Sequence, residues 1–160
     1  MHRYLFLVCI AFSSSTFSQK VQSNLRLSRT DGKKVKLKQY LNDGPVLINF
    51  WATWCGPCKK EMLHLDRLSK EYKKEGFSIL SISIDTQRSL SEVKRFVRSK
   101  KYAFEVFVDP NQQIFKKLNG NIMPTNVLID QDGQVVWMHY GYMPGDEIIM
   151  EKEIIELLKK

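Results

Sequence analysis

Residues 46–61, Val46-Leu-Ile-Asn-Phe50-Trp-Ala-Thr-Trp-Cys55-Gly-Pro-Cys58-Lys-Lys-Glu61, carry an apolar run straight into two cysteines and out into a lysine-rich segment. The run Val46–Phe50 follows Pro45 and reads as a strand covered on both faces. From Pro57 to Glu75, Met62, Leu65, Leu68 and Tyr72 recur at helical spacing with lysines between them, and Gly76 ends the helix. The cysteines therefore stand at a strand-to-helix turn. Two sulfurs three residues apart on a first helical turn can approach within disulfide distance. Cys55, at or just before the helix start, meets unpaired backbone N–H groups and the positive end of the macrodipole, which favour a thiolate. That lowers its pKa and makes it the attacking sulfur. Cys58, one turn inside, is the more buried partner that resolves a mixed disulfide. Pro57 is tolerated because a first-turn residue needs no N–H partner. Zinc binding is the competing reading, but it needs four ligands and, beyond residues 1–18, only His64 and His139 remain, at no second-pair spacing. A fixed disulfide across so small a loop would stabilise little.

Outward from this turn, strands and helices alternate. Leu25–Leu27 and Val35–Leu37 alternate apolar and basic residues around Asp31-Gly32, which predicts a short hairpin. Phe77–Ile84 reads as a strand. Ser89 is expected to cap a helix carrying Leu90, Val93, Phe96 and Val97, with Glu92 completing a capping box. Phe104–Val108 is a third core strand and Asn111–Leu118 a short helix. Thr125–Ile129 and Val135–His139 are strands joined through Gln131-Asp132-Gly133. Gly145-Asp146 opens a last helix, with Ile148, Ile149, Ile154, Ile155 and Leu158 inward and Lys159-Lys160 at its negative end. Two parallel units, a hairpin and a closing helix make one mixed α/β sheet.

The 160 residues are 43% hydrophobic and 26% charged, an ordinary globular balance that excludes disorder and a polytopic membrane protein. Residues 1–18 read as a secretory signal: the basic start Met-His-Arg3, an apolar run Tyr4–Phe12, then a small polar stretch to Ser18. The run is too short to span a bilayer. Cleavage before Gln19 removes Cys9 and leaves residues 19–160 as one domain, with Cys55 and Cys58 as its two cysteines in an oxidising setting. Lys plus Arg outnumber Asp plus Glu by 25 to 17, on lysine-rich helix faces without interleaved aromatics, which disfavours nucleic-acid binding. The excess can steer acidic partners or anionic surfaces, though a solvated face is the simpler expectation.

The motif Phe50–Glu61, the strand and helix inserted between Phe77 and Ser99, and Met123-Pro124-Thr125 before Val127–Asp130 resemble the thioredoxin superfamily. More narrowly, the chain resembles its exported TlpA/ResA-like thiol-disulfide oxidoreductases, over about Leu25 to Leu158. The resemblance implies a thioredoxin-like three-layer α/β fold, with a mixed central sheet, helices on both faces and an N-terminal hairpin. It implies catalysis by Cys55 and Cys58 as a redox-active disulfide, with no cofactor and no metal. Trp54, Gly56, Pro57, Met123 and Pro124 would contact substrate, with Pro124 as the superfamily's cis-proline facing the sulfurs. Where thioredoxins proper carry a buried aspartate six residues before the first cysteine, this chain has Asn49, which cannot take up a proton. The resemblance points instead to Glu61 as the acid/base, its pKa raised by partial burial. The plainer alternative is a solvated carboxylate beside Lys59 and Lys60.

Among other residues, Trp51 suits either the core or the sulfur surround, and Asp85 a helix or turn cap. His64 and His139 read as surface or satisfied histidines, and Phe96-Val97 as core. The resulting expectation is an exported disulfide reductase of the periplasm or cell envelope, since Gly56-Pro57 resembles reducing thioredoxins. Its partners would be disulfide-containing proteins and an upstream thiol electron donor, with no stable membrane insertion after signal cleavage. Cytochrome c maturation is one process such an enzyme would serve. A peroxiredoxin-like thiol peroxidase fits less well, because that class has its cysteine after a Thr-x-x pattern and Thr53 lies only two residues before Cys55. A redox-inactive binding module on the same fold is disfavoured by the presence of both cysteines.

Overall fold

The computed structural model describes residues 19–159; the expected signal peptide, with Cys9, and Lys160 lie outside them. The elements in chain order are β1 (Arg26–Arg29), β2 (Lys34–Lys36), α1 (Lys38–Leu41), β3 (Val46–Trp51), α2 (Gly56–Tyr72), β4 (Ser78–Ser83), α3 (Leu90–Lys100), β5 (Glu105–Val108), α4 (Gln113–Lys117), β6 (Thr125–Ile129), β7 (Val135–Tyr140) and α5 (Asp146–Leu158). Seven strands form one sheet in the order β2-β1-β5-β4-β3-β6-β7. β3, β4 and β5 are parallel, while β6 runs antiparallel to β3 and the N-terminal hairpin extends the β5 edge antiparallel. The mixed sheet and terminal hairpin match the expected class.

The central strand explains the layering. All six residues of β3 are buried, so both faces must be covered. Successive side chains alternate faces. Asn49 and Trp51 point to the side of α2 and α3, where Asn49 reaches Glu61 and the Trp51 ring lies 5.2 Å from that of Phe96. Phe50 points to the other side and meets Phe115 of α4, also at 5.2 Å. Helix α5 lies beside α2, tied by a two-pronged pair between Arg67 and Glu151. Burying a side chain such as Phe50 contributes roughly 1.5–3 kcal/mol. Behind α2 the chain turns at Gly76 (φ +85°), where a Cβ would run into the Asp43 carbonyl.

Several local expectations need correction. Ser89 makes no side-chain cap and its φ of −95° and ψ of 2° are not those of a capping residue. A 3₁₀ turn over Gln87–Ser89 runs directly into α3, so no capping box forms. Ile148 and Ile149 are exposed, at 69% and 52%, not inward. The inward face of α5 is set by Met150, Ile154 and the half-buried Leu157 at i, i+4, i+7, which rotates both isoleucines outward. The helix expected over Asn111–Leu118 is confined to Gln113–Lys117, because Asp109 captures the N–H groups of Gln113, Ile114 and Phe115. The short helix α1 had no periodic signal.

Candidate active site

Cys55 is the N-cap residue of α2. Its extended backbone (φ −84°, ψ 105°) turns the sulfur back over the first turn, where it accepts the Cys58 N–H at 3.2 Å. No acidic residue stands in that turn, Pro57 does, and Lys59 and Lys60 follow it, so the local field favours a thiolate. Cys55 and Cys58 form a disulfide with Cα atoms 5.4 Å apart. Cys58 is fully buried and Cys55, at 5% exposed, is the less buried of the two.

Glu61 lies one helical turn beyond Cys58 and is fully buried, so it is no solvated carboxylate. Its Oε2 accepts the Asn49 amide at 2.9 Å and its Oε1 the Asn126 amide at 2.6 Å. The Asn49 amide also donates to Asn126 Oδ1 at 2.9 Å, and Ser81 Oγ donates to Asn49 Oδ1 at 3.1 Å. Sheet register produces this cluster: Asn49 pairs with Ser81 on β4 and with Asn126 on β6, and Asn126 with His139 on β7. One polar row therefore crosses four strands beneath α2. At its end, His139 Nε2 meets Asp146 Oδ2 at 3.1 Å, the satisfied histidine expected from the sequence. Burial pushes the Glu61 carboxyl up to about 8, against the pull of the Asn126 and Asn49 donors, which favour the charged form; Asp146 adds a smaller upward push.

A second buried carboxylate fixes the turn before the cysteines. Asp85, 2% exposed, accepts the Thr53 N–H at 2.8 Å, the Thr53 hydroxyl at 2.5 Å and the Ser83 hydroxyl at 2.8 Å. Asp85 is therefore a clamp between β4 and the loop after β3, not the helix or turn cap expected. Trp51 is fully buried against Phe96, which assigns it to the core.

The residues expected to touch substrate fall into two loops. Trp54, 69% exposed, Gly56 and Pro57 flank the sulfurs in sequence and are exposed. Met123 is half-buried and Pro124 buried; the Met123-Pro124 bond is cis. Their loop is closed by Thr125 Oγ1 donating to the Ile122 carbonyl at 2.6 Å and by Gly141 N–H donating to the Pro124 carbonyl at 2.7 Å. Among the described residues, no three His, Cys, Asp or Glu side chains gather where a metal could be held. Nor is any described helix long and apolar enough to cross a membrane.

Sequence reasoning missed Asn126 and Ser81. Their signal was a polar residue in a core strand, and each is fully buried where register brings it beside Asn49.

A family model described as Redoxin matches residues 14–156. Thiol-disulfide oxidoreductase ResA of Bacillus thuringiensis subsp. konkukian (strain 97-27) is 38% identical over 117 residues, 73% of this chain and 66% of that protein. The chain thus spans just under two thirds of that relative's length. ResA of Bacillus anthracis is 38% identical over 129 residues, 81% of this chain and 73% of that protein. Among solved structures, a chain named for the thiol:disulfide interchange protein DsbE from Chlorobium tepidum superposes with a TM-score of 0.78 at 29% identity, covering 88% of this chain and 98% of that one. The exposed lipoprotein thioredoxin Etrx1 of Streptococcus pneumoniae strain TIGR4 gives a TM-score of 0.66 at 26% identity, over 79% and 96%.

Proposed function

The chain belongs to the Redoxin family, and from that premise we propose that it is an exported thiol–disulfide oxidoreductase that reduces disulfides in protein substrates. The observation that carries the reading is the stacking of a less buried N-cap Cys55 and a fully buried Cys58 above a buried, amide-held Glu61. In the reduced enzyme, the Cys55 thiolate attacks a substrate sulfur, and the substrate's other sulfur leaves as a thiolate. Glu61, in its ionised form, then takes the proton from the Cys58 thiol. The Cys58 sulfur attacks Cys55, the mixed disulfide breaks, and the second substrate sulfur departs carrying that proton. Two electrons have passed to the substrate and the enzyme holds the Cys55–Cys58 disulfide.

Burial lifts the Glu61 carboxyl to about 8, far enough above the ordinary carboxylate range for it to exchange a proton near neutral pH. An upstream thiol donor restores the dithiol. Trp54, Gly56, Pro57, Met123 and Pro124 form the contact surface for the substrate segment. Export rests on the leader-like residues 1–18, places the reaction in the periplasm or cell envelope, and makes apocytochrome c one candidate substrate.

Insulin reduction by a chemically reduced enzyme tests the reading. Wild type is expected to accelerate it, and Cys55→Ser to reduce the rate to background. Equal rates would leave a redox-inactive module, while faster consumption of peroxide than of insulin disulfide would indicate a thiol peroxidase. A Cys58→Ser variant should trap substrates as mixed disulfides on Cys55.

A further inference from the structure

Among the described residues, Arg29 pairs with Glu105, Arg67 with Glu71 and Glu151, and Lys70 with Asp66. Three adjoining cations on one helix have no such partner. On α3, Lys94, Arg95 and Arg98 are exposed and form no ion pair among the described residues. Spacing of three and four residues sets Arg98 beside both Lys94 and Arg95 on the helix surface. Two adjoining cavities follow the stripe. One, of about 560 Å³, is lined by Ser91, Lys94, Arg95, Arg98 and Ser99. The other, of about 440 Å³, shares Arg95 and Ser99 and is completed by Thr53, Lys59, Phe96 and Glu92. Thr53 lies two residues before Cys55 and Lys59 follows Cys58, so the groove ends against the redox turn. Lys59 and Lys100 stand over the Phe96 ring, at 5.7 and 5.9 Å from its centroid, which adds positive charge without a counter-ion. Glu92 is the one carboxylate lining the two cavities.

We propose that this groove holds an acidic segment of the disulfide-bearing substrate polypeptide, which sets its approach to Cys55; the proposal rests on the reductase reading above. Eleven helical residues span about 16 Å, the reach of four or five extended residues. The two depressions adjoin the turn that carries the reacting cysteines, through Thr53 and Lys59, which suits a polypeptide running away from its own disulfide better than a lipid surface. Carboxylates there neutralise cations that have no internal partner, so the attraction speeds encounter and weakens with salt.

The test compares two synthetic peptides with the same internal disulfide, one followed by four glutamates and the other by four lysines. The full protein should reduce the acidic peptide about tenfold or more faster in kcat/KM at low salt, and the gap should close with added salt. Arg95→Glu/Arg98→Glu should erase the preference while leaving reduction of hydroxyethyl disulfide unchanged. Equal rates on both peptides, or a double variant slowed equally on all three substrates, would overturn the proposal. So would a variant that loses only binding to phosphatidylglycerol vesicles, which would make the stripe a membrane contact. Fluorescence anisotropy of disulfide-free versions of both peptides measures binding without turnover. If hydroxyethyl disulfide is not reduced yet the acidic peptide still binds preferentially, the reductase reading fails and the groove stands.

Discussion

Asp85 and Glu61 are both buried carboxylates packed against the segment that carries the disulfide, yet the donors they meet differ in kind. Asp85 takes a backbone N–H and two hydroxyls, two of the three bonds coming from Thr53. Glu61 takes only side-chain amides, one from each of two neighbouring strands, where the polar row of Ser81, Asn49 and Asn126 is buried beneath α2. A carboxylate bonded to main chain holds a loop in shape, because losing the charge leaves an oriented N–H without its partner. A carboxylate whose burial outweighs its amide donors has its pKa displaced toward neutrality and is free to trade a proton. Both are buried; the kind of donor each meets differs, main chain and hydroxyls for Asp85, side-chain amides for Glu61.

The contrast breaks most visibly through pH. Glu61 binds its proton more tightly folded than unfolded, where its ordinary value is 4.5. Between pH 4.5 and about 8 the native state therefore holds a proton that the unfolded chain has released, and stability falls as pH rises through that window. Each unit of displacement is worth about 1.4 kcal/mol. Thermal unfolding of oxidised Glu61→Gln should gain on wild type steadily from pH 5 to pH 8.5. Parallel curves would show that Glu61 carries no such displacement.

Asp85→Asn attacks the other carboxylate. The new amide leaves one acceptor oxygen for the three donors that the two carboxylate oxygens take, and a loss of about 2–3 kcal/mol is expected, read as a lower urea midpoint with an unchanged slope. A neutral result would reduce Asp85 to a bystander. Smaller again is Asn126→Ala, which removes one donor to the Glu61 carboxylate. It should raise the Glu61 pKa by about one unit, followed by carbon-13 NMR of the labelled carboxyl. A lowered pKa would mean that water entering the gap solvates the charge.

Much of this was legible in sequence, for physical reasons that differ by element. β3 is a continuous apolar run and α2 repeats Met62, Leu65, Leu68 and Tyr72 at helical spacing, so strand, turn and helix followed, and Cys55 with them. The α5 isoleucines misled because Ile148 and Ile149 are as apolar as Ile154, and the helix rotation is fixed by tertiary packing of Met150, Ile154 and Leu157 and by the Arg67–Glu151 pair to α2. Asp85 misled because its partner Thr53 is 32 residues away, beyond any local cap pattern. Asn126 escaped notice since it meets Glu61 only through the register of β6 on β3. The fold was written in local periods, whereas the setting of Glu61 was written in strand pairing.

The most direct measurement is single-turnover release of peptide thiol from the Cys55 mixed disulfide, followed against pH in wild type and Glu61→Gln. The expected result is a wild-type rate about a hundredfold or more above the variant at pH 7, in line with general acid–base catalysis, and a variant rate that rises only as the Cys58 thiol ionises unaided. Equal rates with the same pH dependence would contradict a role for Glu61 in moving the Cys58 proton.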